Sequence, residues 1–428
     1  MLMKNNKKKE THHNEGLMGK TRQRMGDLFT STQVLGRTQV IGCVAVEVTQ
    51  RCNLDCTLCY LSEHSQSVSD IPIEEVFRRL DDVLEHYGEG THVQITGGDP
   101  TLRKHSELIE IVRYAADIGL YPALFTNGIA ATRKLLTQLT EVGLQDVAFH
   151  VDTTQRREGY QTEMDLHQLR KDYIERARGL GLMVVFNTTV HVGNFNHIPQ
   201  LVRFFIEHSA DIGLVSFQLQ AETGRGEWGS RDALITQQSM KKQIESGVAR
   251  SLPWGVVDFG HGDCHSYMPT TVVNNRVFPV IANRDLFGQF LKDFQHIRAD
   301  RHVKQHQLLA HYGLALLKQP RWWWPALSYA ARQVQQMGRH LVLGRGRVHK
   351  LSFFMQNFMD ADGLEQERID ACSFMVMTAD GPVSMCEHNA RRDDFILQPL
   401  TIEKANGVKE YYVPLPEIPK FKKVSGGN

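Results

Sequence analysis

From about residue 39 to residue 220, short apolar runs alternate with amphipathic stretches. The runs at 41–49, 92–96, 121–126, 146–152, 182–190 and 213–220 have the length and composition of strands. Between them the apolar positions recur at helical spacing. The clearest case follows Asp70, where Ile73, Val76, Phe77, Leu80, Val83 and Leu84 share one face and Ser69 or Asp70 is placed to cap the start. Strands that alternate with helices form βα units around a parallel sheet. Six units are too few for a closed eightfold barrel, so the pattern predicts an α/β fold built as an open, partial (β/α)6 barrel.

The pattern also divides the chain. Residues 1–38 are polar and carry Lys7-Lys8-Lys9 without an apolar stretch, which reads as a basic mobile tail and not as a secretory signal. The barrel core occupies 39–225. A connecting region, 226–300, holds a glycine-rich loop at 255–262, then a helix face marked by Leu286, Phe287, Phe290, Leu291, Phe294 and Ile297. Residues 301–350 form a helical insertion with nine Lys/Arg, no Asp or Glu, and Trp322-Trp323-Trp324 in its middle. A smaller C-terminal region, 351–400, contains the last two cysteines, and 401–428 is a Pro/Lys-rich tail.

Hydrophobic residues make up 41% of the 428, enough for a full globular core. The net charge of +1 argues against a generally basic nucleic-acid binder, and no nucleic-acid partner is expected. No apolar run approaches the ~18 residues of a spanning helix. A cytoplasmic protein is expected, with one qualification. A basic amphipathic stretch with tryptophans, such as 301–350, reads as an element lying on a membrane surface or as a solvated insertion whose tryptophans pack on the core, with nucleic-acid binding a third, weaker option because the strip lacks a known reading module.

The seven cysteines are Cys43, Cys52, Cys56, Cys59, Cys264, Cys372 and Cys386. An odd number with three in tight spacing favours metal binding or catalysis over a disulfide framework. Cys52, Cys56 and Cys59 follow the first strand directly as C-x3-C-x2-C. Three thiolates from one short loop reach three irons of one cube and leave the fourth iron without a protein ligand. A zinc knuckle would want four N/S ligands in paired spacing, and this triplet has no fourth nearby.

This loop resembles that of the radical S-adenosylmethionine (SAM) superfamily. The resemblance implies a [4Fe–4S] cluster whose open iron is chelated by SAM, and reductive cleavage of SAM to a 5′-deoxyadenosyl radical that takes a hydrogen atom from substrate. It also implies a flavodoxin- or ferredoxin-type reductant. Gly97-Gly98-Asp99-Pro100 resembles the family's Gly-Gly-Glu-Pro motif, whose backbone receives the SAM amino group, with Asp in place of Glu. Tyr60 matches the aromatic residue beside the adenine. Asp152 and Asn187, at or near strand ends, are implied contacts for the SAM ribose or carboxylate, and His150 stands where many relatives have Ser. Thr126, Asn127, Gln218 and Gln220 are further polar residues at the strand ends where such sheets build sites.

Cys372 and Cys386 flank two apolar runs joined by Asp380-Gly381, the pattern of a hairpin that brings two thiols together. Gly381-x4-Cys386 resembles the SPASM/twitch extension of many radical SAM enzymes. With Cys264 as third ligand, from His261-Gly-Asp-Cys264-His265, it implies an auxiliary [4Fe–4S] cluster. The fourth position would be open or filled by His261, His265, His388 or a substrate group. Cys43, inside the first strand, reads as a buried structural thiol.

A finer likeness lies in residues 349–362, Cys386-Glu-His388-Asn389 and the Asp-Cys-His loop, which resemble the tetraether-lipid synthase and pterin methyltransferase-like group. That resemblance implies hydrogen abstraction from an unactivated C–H bond of a lipid alkyl chain. The competing readings are a radical SAM methyltransferase acting on a small heterocycle, a peptide-modifying SPASM-type enzyme, and a non-catalytic iron–sulfur or zinc protein.

Overall fold

The computed structural model describes residues 16–36, 40–226, 234–294, 297, 305–404 and 406–415. Strands β1 (Cys43–Thr49), β2 (His92–Gly97), β3 (Tyr121–Thr126), β4 (Asp146–His150), β5 (Met183–Val190) and β6 (Ile212–Leu219) pair in chain order, all parallel. They fall within two residues of the predicted ends. Helices alternate with them, so both faces of these strands are covered and their apolar runs are near-continuous.

The sheet does not stop at six strands. On one side β9 (His349–Asn357) pairs parallel to β6 and is followed by the antiparallel β7 (His265–Val273) and β8 (Arg276–Pro279). On the other side β10 (Phe374–Thr378) lies parallel to β1, with β11 (Gly381–Ser384) antiparallel at the edge. The smaller C-terminal region thus adds its strands to one 11-stranded sheet, and among the described residues β12 (Leu400–Glu403) and β13 (Lys409–Tyr412) form a second, two-stranded sheet. The reason is composition: β10 reads FMVMT and is buried throughout, so it needs cover on both faces.

The two flanks of the curved sheet meet through side chains. Phe354 of β9 stacks on Phe374 of β10 with ring centroids 5.7 Å apart, and the His265 ring lies 4.9 Å from that of Phe374. The barrel is thus open in its hydrogen bonding and shut by an aromatic seam. Alternate residues of the core strands face inward, and the small ones, Ala45, Ala148 and Ser216, keep the interior hollow.

Three expectations change. Residues 16–36, expected to belong to a mobile tail, are ordered: 16–25 form a helix, Leu17, Met25 and Leu35 are buried, and Arg24 donates to the carbonyls of Asp370 (2.7 Å) and Cys372 (2.8 Å). Lys7-Lys8-Lys9 lie outside the described residues. The helix after Asp70 spans Ile73–Tyr87 with Pro72 at its N-cap and no side-chain cap, because Asp70 is taken by Arg51 (2.6 Å) and Thr49 (2.5 Å). The Trp triplet divides: Trp322 is buried on Phe290 and Phe294, while Trp323 and Trp324 are exposed. The insertion itself is two helices, Gln305–Leu317 and Trp323–Leu343, and the helix face expected before it is Arg284–Phe294, which ends short of Ile297. Among the described residues no helix is long and apolar enough to cross a membrane.

Candidate functional site

The cysteine loop leaves the end of β1 and is clamped from two sides. At the end of β2, the Gly98 N–H donates to Thr49 O (2.8 Å) and the Asp99 N–H to Arg51 O (2.8 Å). A Cβ on Gly97 would lie 2.0 Å from Thr49 O, and one on Gly98 2.0 Å from Arg51 O. The two glycines are there because backbone lies against backbone. On the other side, residues 223–226 run along the loop, with the Arg225 N–H on Leu61 O (2.7 Å) and the Gly226 N–H on Cys59 O (3.0 Å). The Arg225 guanidinium reaches Leu54 O at 3.3 Å.

Asp99 is wholly buried, and its carboxylate accepts from Thr101 N–H (3.0 Å), from Thr126 Oγ1 (2.9 Å) and from Asn127 N–H (2.8 Å). It therefore fixes the turn after β3. Asn127 passes that order on: its Nδ2 donates to Asn53 Oδ1 (2.7 Å) and lies 3.8 Å from Cys52 Sγ. Asp99 lines the cavity and also orders it through Asn127, whereas Pro100, which opens the next turn, does not line it.

Cys52, Cys56 and Cys59 line one cavity of about 400 Å³ inside the barrel. Burial first, and the neighbouring acidic groups after it, push the thiols of Cys52 and Cys56 up. Three neighbouring sulfurs on one loop are held together as thiolates by a cation among them, so the donor set fits an iron cluster. Among the described residues no three His, Cys, Asp or Glu side chains converge tightly enough for a single ion, and a cube asks for one thiolate per iron instead.

Around the same cavity stand Tyr60, His150, Asn187, Thr189 and Ser216. His150 Nε2 lies 2.7 Å from Asp152 Oδ2, and Asp152 also accepts the N–H groups of Thr154 (3.0 Å) and Thr189 (2.6 Å). Burial opposes the charge on Asp152, but His150 and these hydrogen bonds outweigh it and hold the carboxyl below its usual range. Asp152, expected at the cosubstrate, does not line the cavity; it sits behind His150 and orients it. Asn187 Oδ1 and Ser216 Oγ are buried without a hydrogen-bond partner, which suits a ligand bearing donors. The Tyr60 hydroxyl donates to Gly97 O (2.6 Å), and Arg392 lies over its ring at 4.8 Å. Arg392 in turn pairs with the buried Glu47.

Cys264, Cys372 and Cys386 also come together. They are buried and line a second cavity of about 10 Å³ beside the aromatic seam, with His265, Met359 and Arg368. Arg368 Nε donates to Cys264 Sγ (3.2 Å) and the Met359 N–H to Cys386 Sγ (3.4 Å), while the Cys372 thiol donates to Phe374 O (2.9 Å). Burial pushes Cys264 up to about 11 and Cys386 up to about 12. Of the three histidines named from sequence, His261 accepts the Asp263 N–H (3.1 Å), His388 lies 3.4 Å from Arg392 Nη1, and His265 alone lines this cavity. Cys43 is buried, as expected, with its sulfur accepting from Gln94 Nε2 (3.1 Å), and it lines the larger cavity.

Sequence reasoning missed the clamp at 223–226 and the role of Asn127. The paired Gly224 and Gly226 were the available signal: a Cβ on Gly224 would lie 2.3 Å from the Tyr60 carbonyl carbon.

A family model described as the radical SAM superfamily matches residues 46–205. A PqqA peptide cyclase of Bradyrhizobium diazoefficiens is 30% identical over 174 residues, covering 39% of this chain and 44% of that protein. A 7,8-dihydro-6-hydroxymethylpterin dimethyltransferase of Methanocaldococcus jannaschii is 28% identical over 186 residues, 42% of this chain and 36% of that protein. These matches span less than half the length of either relative. A solved structure of Streptococcus suis SuiB bound to S-adenosylmethionine shares 16% identity, covering 47% of this chain and 45% of that one, with a TM-score of 0.37. The family model takes in the clamped loop of Cys52, Cys56 and Cys59 and the core strands behind it, so residues 46–205 make up a radical SAM domain, the domain whose cofactors are a [4Fe–4S] cluster and SAM.

Proposed function

We propose that this chain cleaves SAM reductively and uses the product to take a hydrogen atom from an unactivated C–H bond of a lipid alkyl chain. The observation that carries the reading is the placement of three thiols from one loop on the wall of a hollow barrel. Cys52, Cys56 and Cys59 would hold the cluster, which supplies the electron that breaks the sulfonium C–S bond. Asn187 Oδ1 and Ser216 Oγ accept from amino or hydroxyl groups of the cosubstrate, and Tyr60 walls the site. His150, held by Asp152, presents its ring to the interior in one orientation. Deeper in, Met183, Val185, Leu214, Phe354 and Phe374 give the cavity an apolar lining suited to an alkyl chain and to the exclusion of water.

Cys264, Cys372 and Cys386 would hold an auxiliary [4Fe–4S] cluster, and a flavodoxin- or ferredoxin-type protein would supply electrons. Anaerobic reconstitution with SAM and dithionite should yield 5′-deoxyadenosine, and perdeuterated lipid should deliver label into it. Absence of 5′-deoxyadenosine sinks the chemistry. Label arriving only from a peptide, or S-adenosylhomocysteine as coproduct, would move the assignment to peptide modification or methyl transfer, the activities named for the two relatives.

One further observation favours work at a membrane surface. The helix Trp323–Leu343 lies on β7 and β8, with the Tyr329 hydroxyl on Val280 O (3.0 Å) and Gln333 Nε2 on Pro279 O (3.5 Å). On the same helix Trp324, Leu327, Val334 and Val342 are exposed, at 78%, 65%, 63% and 80%. An exposed apolar stripe within a segment of nine cations and no anions suits an anionic bilayer. The protein should sediment with anionic vesicles and much less with neutral ones, and Trp324→Ala with Leu327→Ala should release it. Equal binding to both vesicle types would refute this.

A further inference from the structure

The second cysteine site has three sulfurs and one feature the thiol pattern alone does not disclose. His265 is 6% exposed, lines the same cavity as Cys264, Cys372 and Cys386, and its Nδ1 is buried without a hydrogen-bond partner. A buried imidazole nitrogen normally finds a partner, because leaving it unpaired costs free energy of desolvation.

The ring has no freedom to seek one. It stacks on Phe354 with centroids 5.5 Å apart and planes 16° from parallel, and Phe259 meets it edge-on at 6.0 Å. Its Cδ2 edge faces Gly260, where a Cβ would come within 3.1 Å. The sulfurs around the cavity are already served by donors: Arg368 Nε on Cys264 and the Met359 N–H on Cys386. What is missing is an acceptor for the lone pair on Nδ1, and a metal supplies it.

Resting on the reading of this pocket as an auxiliary cluster site, we infer that His265 Nδ1 is the fourth protein ligand, completing a Cys264–Cys372–Cys386–His265 set. The neutral imidazole gives its lone pair to the fourth iron and keeps its proton on Nε2. Two consequences follow. The cluster has no open iron, so it carries electrons or holds the seam, and does not chelate substrate. One imidazole in place of a thiolate also removes a negative charge, which raises the reduction potential.

The test uses the full chain, anaerobically reconstituted without SAM, in a variant with Cys52, Cys56 and Cys59 changed to Ala so that only the second site is read. About four irons per chain are expected. Grown with 15N-histidine and reduced, the protein should show the hyperfine coupling of a directly bonded nitrogen in pulsed EPR. His265→Ala should abolish the coupling. His265→Cys should keep the irons, lose the coupling and lower the potential. Should the triple variant fold poorly, the same coupling is read in the intact chain, where the first cluster's signal is identified by its response to SAM. Irons present without nitrogen coupling, or coupling that survives His265→Ala, overturns the assignment of His265 alone. No iron at the second site overturns the auxiliary-cluster reading and the ligand with it.

Discussion

The two cysteine sites make opposite use of the chain. The first triad comes from eight consecutive residues and lies at a cavity of about 400 Å³, with Cys52 and Cys56 partly exposed. The second is drawn from positions 264, 372 and 386, is wholly buried, and encloses about 10 Å³. A loop built from local sequence leaves room beside its sulfurs for a molecule the size of SAM. A site assembled by topology, at the seam where β7, β9 and β10 converge, leaves none. Openness follows from how the ligands are gathered, and under the proposed reading it would divide a site for chemistry from a site for electrons or structure.

The sharpest break in this comparison is single-cysteine replacement. Cys56→Ala should remove about four irons and all 5′-deoxyadenosine formation, whereas Cys386→Ala should remove the other four and leave SAM cleavage in place. Iron and sulfide assays with product chromatography read both; equal loss of cleavage in the two variants would erase the distinction.

The strut between the sites comes next. Glu47 pairs with Arg392, which covers the Tyr60 ring, and accepts from Gln50 Nε2 (2.8 Å). Burial pushes its carboxyl upward, but Arg392, then His388 and Gln50, outweigh burial and lower it. Its contribution to stability is present above the ordinary glutamate value of about 4.3 and is lost as pH falls through the lower value of the folded state. Glu47→Gln should cost about 3–5 kcal/mol near neutral pH, because it strands a buried guanidinium. The difference in Tm from the parent should shrink on acidification; a difference constant from pH 7 to 3 would argue against the ion pair.

A smaller effect is expected at Asp99. Asp99→Asn sets an amide against donors that now find a carboxylate, at a cost of about 1–3 kcal/mol. It should loosen Asn127 and weaken cluster retention at the first site only, which iron content after gel filtration will show. The smallest change is Arg368→Met, which removes the donor on Cys264 Sγ. It should lower the potential of the second cluster and leave the first unmoved in a redox titration monitored by EPR.

Much of this was legible because it is local. Period-2 and period-3.6 patterns placed the six core strands, and the C-x3-C-x2-C loop announced itself by spacing. The flanking strands were not, since nothing in FMVMT says that its partner is a strand some 330 residues upstream. The same holds for the site. Tyr60, Asp99 and Asn187 line the cavity, but Asp152 sits behind it and holds His150 in place, a distinction that depends on which way a side chain turns at a strand end. His265 was one of three candidate histidines named from sequence, and what separates it from the others is its place on the second cavity with a buried Nδ1 that has no hydrogen-bond partner.

The seam has a bearing on how the protein matures. Its thiols exist as a set only after residue 386 has been made and docked, whereas the first loop has all its sulfurs by residue 59. Under the proposed reading, iron loading at the two places would be bound to different moments in the life of the chain, and metal delivered late to the rear pocket would act as a rivet, locking two edges otherwise joined by stacked rings and a few hydrogen bonds.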